Sequence, residues 1–178
     1  MAKISTSQIA LKPQDLFVLF ALTTHRDKSV TYPDLAAQTG LAPSAVHASI
    51  KRAVVSGLAV IRERQAAVLK PQLREFALHG ARYAFPAVHG RLARGTATAY
   101  AAPPLNREIA PSADPVPVWP HKNGDTRGVS LAPLYPTVAE ASQRDPKLYE
   151  LLALFDAIRA GQARERALAQ KMLEERLQ

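Results

Sequence analysis

Residues Thr31 to Leu58 read TYPDLAAQTGLAPSAVHASIKRAVVSGL, and the spacing of their capping and apolar residues predicts two short helices joined by a tight turn. Thr31 is placed to cap the first helix, with Pro33 in its opening turn and Asp34 where a capping-box acid sits near the positive end. Gly40 supplies the left-handed residue that ends it. Pro43 suits the first position of a second helix, which runs to about Ser56 and is stopped by Gly57. Leu35, Ala36, Leu41, Val46, Ile50 and Ala53 then fall on one shared core, and Ala36 is small enough for the helices to cross closely.

The opposite face of the second helix carries Ser44, Ala48, Lys51 and Arg52, flanked by Ala45 and His47. Short side chains near the helix start permit close approach to a groove floor. Polar and basic ones further along reach base edges and phosphates.

Leu35, Ala36, Gly40, Leu41, Ser44, Val46, Ile50, Lys51, Arg52, Ser56, Gly57 and Leu58 together form a pattern that resembles the winged helix-turn-helix regulators of the MarR type and their relatives. AVIRERQAAVLK, residues 59–70, resembles their two-stranded wing, so the resemblance spans about residues 10 to 75. Ala42 departs from it, standing where the family often has a Ser or Thr cap. The resemblance implies a DNA-reading second helix and a wing beside it.

Charge distribution points the same way. Residues 1–95 hold 13 Lys and Arg against 5 Asp and Glu, whereas residues 96–178 hold 10 against 10, so the whole excess of +8 lies in the first half. Cysteine is absent, which excludes disulfides and cysteine metal sites or nucleophiles. No apolar run approaches the roughly 20 residues of a membrane span, and the first residues show no apolar signal core. The expectation is a cytoplasmic chain with no membrane contact and no cofactor.

Along the rest of the chain, PQDLFVLFALTTHR predicts a helix nearly encircled by Leu16, Phe17, Leu19, Phe20 and Leu22, followed by a polar link and a short strand near Ser29 to Thr31. The wing is expected to pair Ala59 to Arg62 with Ala67 to Leu69 across Glu63, Arg64, Gln65 and Ala66, with Arg62, Arg64 and Lys28 on phosphates. PQLREFALH predicts a helix ended by Gly80. Residues 81–105 show no single periodicity; Tyr83, Phe85, Val88 and Leu92 are expected to pin them to the domain. That stretch lacks the glycine spacing and Lys-Ser/Thr ending of a phosphate loop, and His79 and His89 lack the partners of a metal site.

Eight of the 14 prolines fall between Ala101 and Pro136, which favours an extended connector, with a hairpin formed by Val116 to Trp119, a turn near Asn123 and Gly124, and Arg127 to Leu131. Trp119 reads as a packing anchor, or with Tyr135 as part of a ligand pocket. Asp145 and Pro146 announce a helix with an apolar stripe of Leu148, Leu151, Leu152, Phe155 and Ile158. Gly161 leads into a last helix of balanced charge.

The fold expected is mainly α with a small β-wing: a winged helix-turn-helix domain over 1–80, an irregular Pro-rich connector over 81–144, and C-terminal helices over 145–178. The function expected is a sequence-specific, double-stranded DNA-binding transcriptional regulator, a homodimeric repressor joined through the C-terminal helices. Ser44, Ala45, His47, Ala48, Lys51, Arg52, Arg62 and Arg64 would contact DNA. The alternative is a winged module, such as an antitoxin or assembly factor, that holds a protein partner through its connector and C-terminal helices. The five histidines sit in unrelated contexts, so no enzyme is expected.

Overall fold

A computed structural model describes residues 8–25, 29–110 and 114–178; Lys28 and the polar link before it lie outside these. Helix α1 (Pro13–Thr23) starts where Asp15 accepts the Lys12 N–H at 2.8 Å, and every side chain from Leu16 to Leu22 is buried. Ser29 to Thr31 form no strand. Thr31 caps α2 (Tyr32–Thr39): its hydroxyl accepts from the Asp34 N–H while Asp34 accepts from the Thr31 amide. The Thr31 hydroxyl also donates to the Asp34 carboxylate at 2.6 Å, and this bond first, then the one from the Thr31 amide, holds the Asp34 carboxyl below its ordinary value. Gly40 ends α2 at φ +74°, and α3 follows over Pro43–Val55. Leu35, Ala36, Leu41, Val46, Ile50 and Ala53 are all buried, as the spacing predicts.

Strands β1 (Ala59–Arg62) and β2 (Gln65–Val68) pair antiparallel, with Arg62 opposite Gln65. The sequence pattern predicts a four-residue connection here, Glu63 to Ala66. The turn is instead Glu63 and Arg64 alone, both left-handed at φ 49° and 66°, the backbone that matches the right-handed twist of a two-residue hairpin. Neither residue is a glycine, so pattern alone favoured a looser loop.

Gly80 does not end the next helix. α4 (Lys70–Glu75) passes through one wider π-turn, Phe76–Gly80, into α5 (Ala81–Ala84). Gly80 keeps right-handed backbone, and a Cβ there would meet the Phe76 ring at 3.0 Å, so the missing side chain makes room for the ring instead of a stop. Of the four residues expected to pin the next stretch, only Phe85 is buried; Tyr83, Val88 and Leu92 face solvent.

The proline-rich region forms a second small sheet. β3 (His89–Ala97) pairs antiparallel with both β4 (Pro117–Pro120) and β5 (Thr126–Leu131), and β4 lies parallel to β5, closing a three-stranded barrel. The expected hairpin between β4 and β5 is therefore wrong. Pro117 and Pro120 have no N–H for an antiparallel ladder, so this segment contributes carbonyls: Thr98 N–H donates to Pro117 O and Val129 N–H to Val116 O, each at 2.9 Å. Parallel neighbours usually need about a dozen connecting residues; residues 121–125 suffice because glycine meets glycine at the crossing. A Cβ on Gly124 would lie 2.2 Å from the Gly95 carbonyl carbon, and one on Gly95 would lie 2.0 Å from Trp119 O.

α6 (Val138–Arg144), α7 (Pro146–Ala160) and α8 (Ala163–Arg176) complete the chain. Asp145 caps α7 through one carboxylate oxygen, which accepts the Lys147 and Leu148 amides. Its other oxygen accepts from Gln38 on α2 at 2.7 Å and from Thr24 after α1 at 3.1 Å. Every residue of α7 from Leu151 to Ile158 is buried, and Phe155 meets Phe20 of α1 edge-on. The stripe expected to hold a twin is thus filled by the chain itself. One apolar cluster runs from Leu16 to Leu177, across all three segments into which the sequence was divided. The architecture is mainly helical with two small sheets.

Candidate nucleic-acid interface

α3 owes its orientation to what its inner face buries. Val46, Ser49, Ile50 and Ala53 turn inward, which by helical period leaves Ser44, His47 and Lys51 exposed and Ala45 and Ala48 half-buried between them. His47 is braced by Tyr32, whose ring meets it edge-on at 5.5 Å. Ala42 precedes the helix with extended backbone and offers no capping side chain, while its carbonyl accepts the Ala45 amide at 2.9 Å.

Arg52 is different. Its Nε and Nη2 donate to the two oxygens of buried Asp15 at 2.7 and 2.6 Å, and Nη2 also reaches Ser49 Oγ. The hydrogen bonds it donates to Asp15 raise the guanidinium pKa against the opposing effect of burial. Arg52 therefore ties α3 to α1 and does not join Lys51 on the open face. The structure corrects the expectation that it meets phosphate. The signal lay on α1: a single acid in QDLFVLFAL, followed only by apolar residues, must find a cation or be neutral.

After α3, the end of β1 and the β1–β2 turn carry Arg62, Glu63 and Arg64 into solvent, and Gln65, beside the turn, ties the tip of the hairpin down by donating to Ser29 Oγ. Among the described residues Lys51, Arg62 and Arg64 take part in no ion pair. Lys51 thus stands exposed on a helix face of small and polar residues, and Arg62 and Arg64 on the hairpin that follows it.

A second polar cluster escaped the sequence reading. Asp156, 2% exposed, accepts from the Trp119 indole N–H at 2.6 Å, Thr98 Oγ1 at 2.8 Å and Arg159 Nε at 2.8 Å. Trp119 is 1% exposed and packs on Tyr149 at 5.8 Å between ring centroids, so it anchors β4. The sequence clue was again one acid in an apolar run, LLALFDAIRA, three residues before an arginine. Among the described residues no cluster of His, Asp and Glu is arranged to hold a metal ion, and no helix is long and apolar enough to cross a membrane.

No family model matches this chain, nor does any curated protein sequence or solved structure.

Proposed function

We propose that the chain is a sequence-specific, double-stranded DNA-binding transcriptional regulator with a winged helix-turn-helix reading unit. α3 enters the major groove and the β1–β2 hairpin lies along the neighbouring backbone. The reading is carried by one observation: Ser44, His47 and Lys51 stay open on the side of α3 that the core leaves free, and Arg62 and Arg64 stand exposed on the hairpin that follows α3. Ala45 and Ala48 between them allow close approach to base edges. Arg52 serves this surface indirectly by fixing the angle of α3 against α1. A repressor acting as a symmetric pair fits this reading only if the copies meet away from α7, whose apolar stripe is already filled.

Binding of duplex DNA followed by fluorescence anisotropy across a salt series tests the proposal. Lys51→Ala should cost about 1–3 kcal/mol, and Arg62→Ala with Arg64→Ala should lower the slope of log affinity against log salt by roughly 1.8. Unchanged affinity in both variants would remove α3 and the hairpin from the interface. A second reading, a protein-interaction module such as an antitoxin or assembly factor, draws on the exposed Tyr83, Val88 and Leu92.

A further inference from the structure

The barrel carries its own cationic face. Added Cβ atoms at Gly95 and Gly128 would strike the backbone at Trp119 and Val116, so these positions point into the barrel. Their strand neighbours Arg94 and Arg127 consequently point outward, since side chains alternate along a strand. Both arginines are exposed, and they sit directly opposite each other in the β3–β5 register.

Like charges directly opposite on one sheet face oppose folding. Among the described residues neither arginine has an acidic partner to relieve this. Arg91 is exposed three residues earlier on β3, and exposed Lys122 follows His121, whose amide donates to Arg94 O at 3.1 Å. Arg91 and Arg94 on β3, Arg127 on β5 and Lys122 in the β4–β5 connection thus stand against one carboxylate within those segments, Asp125, which accepts from Thr126 Oγ1. Glu140, on the neighbouring α6, faces His121 at 3.5 Å. The platform is also braced: Arg159, held by Asp156, donates to Pro86 O and Ala132 O, which flank β3 and β5.

We infer that the outer β3–β5 face of the barrel, built on Arg94 and Arg127 with Lys122 beside them, is a second phosphate-binding surface that holds the backbone of duplex DNA. The inference deepens the proposed function and rests on it, because it assigns this face to the same class of partner. A polyanion offsets the arginine pair's mutual repulsion, and contact with backbone phosphate needs no base-reading geometry. Leu92 shares this face, and it is the feature an acidic protein partner would use instead.

The probe is a labelled duplex of about 30 base pairs and random sequence, titrated over a salt series with the full chain. Arg94→Gln with Arg127→Gln should lower the slope of log affinity against log salt by roughly 1.8 units, whereas Arg94→Lys with Arg127→Lys should keep the wild-type slope. A thermal midpoint of the glutamine variant no lower than that of the lysine variant excludes a folding defect as the cause. A wild-type slope in the glutamine variant, with Lys51→Ala still weakening binding, overturns this inference and leaves the proposed function standing. No binding of duplex by the wild-type chain removes both. Loss of binding to a polyglutamate peptide with an unchanged DNA slope gives the face to an acidic protein and overturns the inference as well.

Discussion

The helix pair at 31–58 and the barrel at 89–131 are held by different means. Each stop in the helix pair is local: Thr31 and Asp34 bond across three residues, and Gly40 and Gly57 turn the chain at φ +74° and +71°. The barrel has almost nothing local. Its closure depends on Gly95 against Trp119, Gly128 against Val116, and Asp156 of α7 gathering Trp119 and Thr98. Errors should therefore be cheap in the first region and expensive in the second.

Asp156→Ala should give the largest effect, about 3–5 kcal/mol, because it strands the buried Arg159 guanidinium and the Trp119 N–H. Denaturant unfolding measures this directly. Trp119 is the chain's single tryptophan, so its emission reports the barrel in particular. Gly95→Ala comes next: a methyl 2.0 Å from a backbone carbonyl cannot be absorbed by rotating a side chain. It should cost about 3 kcal/mol or more and shift Trp119 emission. Gly57→Ala is the matched control. Nothing lies within 4 Å of its added Cβ, so only the left-handed backbone is strained, at about 1–2 kcal/mol. If Gly57→Ala proved as costly as Gly95→Ala, the contrast between the regions would fail.

Thr31→Ala removes one exposed cap and should cost about 1 kcal/mol, read as a lower thermal midpoint with Trp119 emission unchanged. The smallest effect is confined to alkaline solution. Burial, and then the charge of Asp125, pushes the Tyr149 phenol up to about 12, while its hydroxyl donates to Ala97 O beside the barrel. An unfolded tyrosine loses its proton near pH 10, whereas the folded one keeps it to about 12. Stability from this group is therefore whole below pH 10 and falls as pH rises through that interval. Tyr149→Phe should flatten that decline, as seen in thermal midpoints taken across the interval.

The same contrast governs how far the sequence could be read. The α1–α3 helices, their caps and the open face of α3 follow from period and end signals that act within a few residues. The hairpin was placed correctly but its turn was not, because Glu63 and Arg64 adopt backbone that glycine or asparagine usually marks. Asp15 and Asp156 were visible as lone acids in apolar helices, yet α1 fixes only that Asp15 needs a partner; that Arg52 would be the one depended on how α3 crosses α1. Reading Arg52 as a phosphate contact treated a helix face as if every residue on it had the same neighbours.

By itself the sequence determined the α1–α3 helices, the small-residued polar face beside Lys51, the hairpin's position and the capped start of α7, since each rests on contacts within a turn or two. Tertiary structure alone decided that α7 is a central core helix, that β4 and β5 lie parallel around β3, and that Arg52 turns inward to Asp15. Those outcomes join residues far apart in the chain, where closing the loop costs entropy that only the assembled packing offsets. Local patterning carries no record of that balance.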